Sequence, residues 1–128
     1  MTARAHQITA VAIGGRALLI DGAPGSGKSS LALGLIDRGA VLIGDDGVML
    51  EVREDALIVN PHPNTQGLIE VRNLGVLPFP VCPQAPASLV IRLAPNAPRF
   101  IDAAENIELL GISLPLILID PANANLAL

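Results

Sequence analysis

The chain has 128 residues, 51% of them hydrophobic and 16% charged, with a net charge of -4. This is enough for one domain with a real core and too little for two, so residues 1–128 are read as a single unit, and the apolar content excludes a disordered chain. Eight scattered Lys and Arg against twelve acids argue against a nucleic-acid partner, which needs clustered cations.

The N-terminus shows no long apolar core followed by a cleavage site, so no secretion signal is expected. His6 to Ile13 alternates as a strand, and Gly14-Gly15 reads as a tight turn into a second strand, Ala17 to Ile20. An antiparallel hairpin therefore delivers the next segment, Gly22-Ala23-Pro24-Gly25-Ser26-Gly27-Lys28-Ser29, which fits the pattern G-x-x-x-x-G-K-[ST] at every specified position. Such a match arises by accident in a chain of this length roughly four times in a thousand, and here the strand before and the helical run Ser30 to Arg38 after it also fit. Glycines let successive N–H groups turn inward onto phosphate oxygens, and the following helix adds its positive end. Lys28 would reach the β and γ phosphates of a nucleotide, the Ser29 hydroxyl would ligate Mg²⁺, and Ser30 completes the binding segment.

In the helix, Leu31, Leu35 and Ile36 share one face with Leu33 beside them, and Gly39 supplies the stop. Ala40 to Ile43 is a short buried strand ending at Gly44-Asp45-Asp46-Gly47. A carboxylate at the end of such a strand is what a phosphate loop requires for Mg²⁺ or its water. Leu116-Ile117-Leu118-Ile119-Asp120 offers the same pattern. Asp45-Asp46 has the better position, because a strand directly after the loop helix is expected to return beside the loop strand. Of two adjacent acids, one can remain an ionised ligand while the other acts as a base toward a hydroxyl; the bland alternative is an acidic turn.

Val48 to Val52 and Leu57 to Val59 form a hairpin around Glu54-Asp55, and Asn60 to Gly67 is read as loop on its prolines and asparagines. In Leu68 to Val76, Glu70 and Arg72 would face one side, as a metal ligand and a phosphate partner or as a surface ion pair. The uncharged stretch Asn73 to Ile91 contains Pro78, Pro80, Pro83 and Pro86, which excludes a membrane-crossing helix. Cys82, the single cysteine, allows no internal disulfide, fits the cytoplasm, and reads as a small apolar residue. Ala87 to Leu93 is a strand, Asp102 to Leu110 a short helix, and Ile112 to Ile119 a strand made edge-like or irregular by Pro115. Trp and Tyr are absent, leaving Phe79 and Phe100 or aliphatic and backbone contacts for a nucleotide base.

His6 before a glycine hairpin, Gly22 to Ser29, Leu42-Ile43-Gly44-Asp45-Asp46 and Ile69-Glu70-Val71-Arg72-Asn73-Leu74-Gly75-Val76 together resemble the catalytic domain of HPr kinase/phosphorylase, in the short proteobacterial form. The resemblance covers nearly the whole chain. It implies an α/β P-loop domain with a mixed β-sheet, HPr kinase/PEP carboxykinase-like, that moves phosphate from ATP with Mg²⁺ to a serine of the carrier HPr, and in many relatives also removes it using inorganic phosphate. It implies cytoplasmic homo-oligomers. Carried over by residue, Asp45 takes the serine proton with Asp46 in support, and Lys28 stabilises the transferring group. Ser29 and Glu70 hold the metal, His6 lies near the phosphates, and Arg72 and Arg99 are further basic site residues. Asn73 and Gly44 depart from the family's usual glycine and alanine, and Ser30 from a frequent acid. With its last residue at Leu128, the chain is expected to hold little of the C-terminal helices by which longer relatives grip HPr and assemble. The rival expectations are a nucleotide sensor that no longer transfers phosphate and a small-metabolite kinase.

Overall fold

The computed structural model describes residues 3–71, 74–95 and 105–121. The expected first strand is two: β1 (Arg4–His6) and β2 (Thr9–Ile13). They part at Gln7-Ile8 because β1 pairs with a later strand while β2 pairs with β3 (Arg16–Gly22). The β2–β3 turn is the expected two-residue one, with Gly14 and Gly15 at φ 56° and 79°, the left-handed pair a tight hairpin uses. Helix α1 (Lys28–Asp37) begins two residues before the expected start, immediately after left-handed Gly27. It ends as expected at Gly39, whose N–H bonds to Ile36 O while that of Ala40 bonds to Leu35 O, both at 3.0 Å.

Next come β4 (Val41–Gly44) and the hairpin β5 (Val48–Arg53) and β6 (Ala56–Pro61). Glu54 and Asp55 carry that turn in left-handed conformations, without glycine. β6 extends through Asn60-Pro61, which the prolines had marked as loop; Pro61 closes the ladder opposite Val48, at a strand end where a missing N–H matters least. β7 (Leu68–Val71) and β8 (Gly75–Pro78) form a separate two-stranded ribbon. β9 (Ala85–Leu93) is followed by β10 (Glu105–Leu109) and β11 (Ile112–Ile119). The helix expected over Asp102 to Leu110 is a strand from Glu105 onward, its first residues lying outside those described. Ile107 and Leu109 alternate with exposed Glu108, and pairing with β11 through the Leu110-Gly111 turn decides between the two conformations.

The main sheet runs β1-β5-β6-β9-β3-β2-β4, with β11 also paired to β9 and β10 added outside β11. β9 is long enough to fork: Ala85 and Pro86 pair with β6, while Val90 to Leu93 pair in parallel with Leu116 to Ile119 of β11. Pro115 falls in the half of β11 that meets only β10; Leu116 pairs on both sides, and Ile117 to Ile119 meet only β9 among the described residues, so the strand keeps the one-sided pairing its proline led one to expect. β4 does not lie beside β3 as expected. β2 sits between them, antiparallel to both, so β3 and β4 still run in one direction and end together.

The two faces of β3 separate the core. Leu18 and Ile20 pack with Val11, Leu31, Ala32 and Leu93 on the helix side; Ala17 and Leu19 pack with Ile43, Leu50, Val59 and Val90 on the other. Among the described residues no helix is long and apolar enough to cross a membrane. Leu19 is fully buried on the strand that leads into the loop. Leu19→Ala is expected to lower the unfolding free energy by roughly 2–5 kcal/mol, read from urea denaturation midpoints at unchanged slope.

Candidate functional site

β3 ends at Gly22, where close packing leaves no room for a side chain: a Cβ would stand 2.5 Å from Ser26 Oγ and 3.2 Å from the Leu93 carbonyl. The loop then folds back, Ser26 N–H bonding to Ala23 O at 3.0 Å, and enters α1 through Gly27. No side-chain cap bonds to the start of α1 and no acid occupies its first turn, which leaves its first-turn amides open to an acceptor from outside the helix. Lys28, the first helical residue, is nonetheless buried.

Five side chains meet at this end of the sheet. Lys28 Nζ donates to Asp46 Oδ1 at 3.0 Å, and Ser29 Oγ donates to Asp45 Oδ1 at 2.6 Å. Thr9, fully buried at the start of β2, donates through Oγ1 to Asp45 Oδ1 at 3.1 Å and accepts the Asp46 N–H at 3.0 Å. An unpaired buried hydroxyl costs about 1–3 kcal/mol, and here both of its hydrogen-bonding roles are used. The acids reach the loop because β4 carries a register shift against β2: Ala10 faces Gly44 but Val11 faces Leu42, which leaves Ile43 as the extra residue of a bulge.

Two cavities flank the loop. One, of ≈ 420 Å³, is lined by Gly25, Gly27, Lys28, Ser29, Ser30, Asp45, Asp46 and Glu70 among others. The second, of ≈ 430 Å³, lies past Gly22, Lys28 and Asp46 and is bordered by His6, Arg92 and Ile107. Within it Arg92 Nε pairs with Asp21 Oδ2 at 2.9 Å. Glu70 reaches the first cavity from β7, whose alternation buries Ile69 completely and turns Glu70 outward.

A family model described as HPr Serine kinase C-terminal domain matches residues 2–82. The chain belongs to this family. Similar proteins include the HPr kinase/phosphorylase of Mycoplasma mycoides, 31% identical over 100 residues, 73% of this chain and 32% of the relative. That of Shouchella clausii is 44% identical over 68 residues, 52% of this chain and 22% of the relative. The chain thus spans between 22% and 32% of the length of these two curated relatives. The solved Hpr(Ser) kinase/phosphatase from Coxiella burnetii superposes with a TM-score of 0.83 at 28% identity, covering 94% of this chain and 87% of that one. The mixed sheet expected from the resemblance to HPr kinase/phosphorylase is therefore the observed fold.

Seen in this family's frame, Lys28, Ser29, Ser30, Asp45, Asp46 and Glu70 share one cavity with the loop, while His6 stands on the other side of Lys28 and Asp46. Arg72, Arg99 and Phe100 lie outside the described residues. Asp120 follows β11, two strands from β3 on the side away from β4, and lines neither of the two cavities. Thr9 was not legible as part of the site. Within one continuous strand its alternation groups it with Gln7, and only the break at Gln7-Ile8 turns it inward.

Among the described residues no three His, Cys, Asp or Glu converge on a metal position. The donor set nevertheless fits a Mg²⁺–polyphosphate group: free amides and an ammonium for the phosphates, and one hydroxyl with few carboxylates for an ion that keeps waters and phosphate oxygens as its other ligands. By giving its proton to Asp45, the Ser29 hydroxyl leaves oxygen lone pairs for such an ion.

Gly44, the departure from the family's usual alanine, has a steric counterpart here. A Cβ at this position would collide with the Gly47 carbonyl oxygen and lie 2.8 Å from Val48 Cγ1. Gly44→Ala is expected to cost about 1–3 kcal/mol of stability by forcing the acidic turn to shift, measurable by urea unfolding.

Proposed function

We propose that this chain is an ATP- and Mg²⁺-dependent protein serine kinase, acting on an HPr-like phosphocarrier and able to run in reverse. The observation that carries the reading is the continuous hydrogen-bonded group Lys28–Asp46, Ser29–Asp45 at the mouth of an uncapped, glycine-rich helix entry. Residues 1–128 are taken as one catalytic unit, working in the cytoplasm as a homo-oligomer, as the family resemblance implies.

Loop residues Gly22, Ala23, Pro24, Gly25, Ser26 and Gly27, with Ser30, would embrace the phosphates through their backbone, and Lys28 would turn from Asp46 to the transferring group. Ser29, with Glu70 across the cavity, would hold Mg²⁺. The metal, when bound, neutralises charge on the phosphate oxygens. The carrier's serine oxygen bonds to the γ-phosphorus, the bond to the bridging oxygen breaks, ADP leaves, and the serine proton passes to a carboxylate. In the reverse direction an oxygen of inorganic phosphate bonds to the phosphoserine phosphorus, the bond to the serine oxygen breaks, pyrophosphate leaves, and that carboxylate returns the proton to the departing serine.

Geometry favours Asp46 for this proton, a reversal of the roles taken from the resemblance. Asp45 Oδ1 already accepts two hydroxyls, one from the metal-side Ser29. Asp46 has a side chain 60% exposed and borders both flanking cavities. Once Lys28 is engaged by phosphate, the Asp46 carboxylate is released toward an incoming alcohol. His6, in the second cavity, is placed to meet the acceptor, and Arg72 and Arg99 are proposed as supporting cations.

Transfer from γ-labelled ATP to purified HPr-like protein tests the reading. Asp46→Asn is expected to reduce transfer about 10²–10⁴-fold, the usual contribution of a general base, with nucleotide affinity little changed. Asp45→Asn is expected to weaken the Mg²⁺ dependence of nucleotide binding instead. ATP binding without transfer to any carrier would favour a sensor, and label confined to small molecules would favour a metabolite kinase.

A further inference from the structure

Only two polar or charged side chains are buried among the described residues, and both end on the acidic pair. Lys28 reaches the Asp46 carboxylate; Thr9 stands between Asp45 and Asp46. At the start of β2 a valine would fill the volume of Thr9 and suit a strand as well, so the pairing of Thr9 with Ile20 has no use for the hydroxyl.

The hydroxyl matters to the neighbouring turn. The ladder between β2 and β4 ends at Ala10 and Gly44, just before the acids, so no strand pairing holds Asp45 or Asp46. Asp46 moreover adopts φ 54°, a left-handed conformation that a non-glycine residue keeps only when its surroundings enforce it. Thr9 Oγ1 takes the Asp46 N–H at 3.0 Å and meets Asp45 Oδ1 at 3.1 Å.

We infer that Thr9 is a positioning residue of the transfer site: one hydroxyl fixes both the rotamer of Asp45 and the left-handed backbone of Asp46. It thereby holds the first carboxylate at Ser29 and the second at Lys28. The predicted effect on rate rests on the phosphoryl-transfer reading above; the effect on the Asp46 backbone rests on the hydrogen bonds alone. If the oxygen is removed and the shape kept, the Asp46 N–H loses its acceptor and Asp45 one of its two hydroxyl donors. Loop amides, which Thr9 does not touch, still bind the nucleotide. The loss therefore falls on the positioning of the acids during transfer and appears in kcat more than in KM.

The test compares the full chain with Thr9→Val and Thr9→Ser, measuring transfer from γ-labelled ATP to an HPr-like carrier and hydrogen exchange at the Asp46 amide. Thr9→Val is expected to lower kcat about 10–100-fold, the range seen when a supporting partner of a site ligand is removed. KM for ATP should stay within about threefold, and Thr9→Ser should stay within about threefold of the parent in both constants. Exchange at Asp46 should quicken about tenfold or more in the valine variant and return to the parent rate in the serine one. A parent kcat in folded Thr9→Val, or equal impairment in Thr9→Ser, overturns the inference. Should the valine variant not fold, Thr9→Ala and Thr9→Ser, which differ by the hydroxyl alone, make the same comparison. If the parent chain transfers no phosphate, the kinase reading falls and the Asp46 amide decides: unchanged exchange without the hydroxyl overturns the role of Thr9, and serine-reversible acceleration supports it.

Discussion

One ammonium and two carboxylates share the small space where β3 and β4 end, and the local structure is what makes that arrangement affordable. Lys28 is almost wholly buried, so it needs a compensating charge; Asp46 supplies it from a position half open to water. Asp45 is held by hydroxyls from Ser29 and Thr9. Each of these contacts joins residues distant in sequence, which requires β3, β2 and β4 to keep their order and β4 to bulge at Ile43. A slip of one residue there would turn both acids away from the loop.

Segments with strong local chemistry were readable. Gly14-Gly15 could only be a tight turn, the loop pattern lay between a strand and a helix, and the glycine stop at Gly39 ended α1 through the expected carbonyl bonds. The errors share one cause. Whether Glu105 to Leu109 becomes helix or strand is decided by β11, which offers a partner for its backbone. Likewise, the split of β1 from β2 is decided by which strands they meet, and the extension of β6 through Asn60-Pro61 by the presence of β5 opposite. Local propensity has no view of a partner that arrives from elsewhere in the chain.

At the site, residues belonging to a contiguous pattern were found, and residues recruited by topology were not. Asp45-Asp46 was chosen over Asp120 on a neighbour argument that is wrong in detail, since β2 intervenes. It still brings these acids beside the loop, because β3 and β4 run the same way and end on one side. Asp46 illustrates a further limit: its left-handed backbone depends on a hydroxyl thirty-seven residues earlier, and nothing near it in the sequence announces this.

Glu70 stands apart from the other acids in how it is carried. Among the described residues its ribbon, β7 with β8, shares no ladder with the main sheet, and two strands alone are marginal in water. What seats the ribbon is side-chain packing: Ile69 is its fully buried anchor, and the strand rests against α1. Leu74 and Val76 meanwhile lie open to solvent. The place of this carboxylate beside the loop thus follows from how one apolar side chain seats the ribbon, and the chain rejoins the sheet only after β8, where the Cys82 N–H bonds to Leu42 O at 2.8 Å.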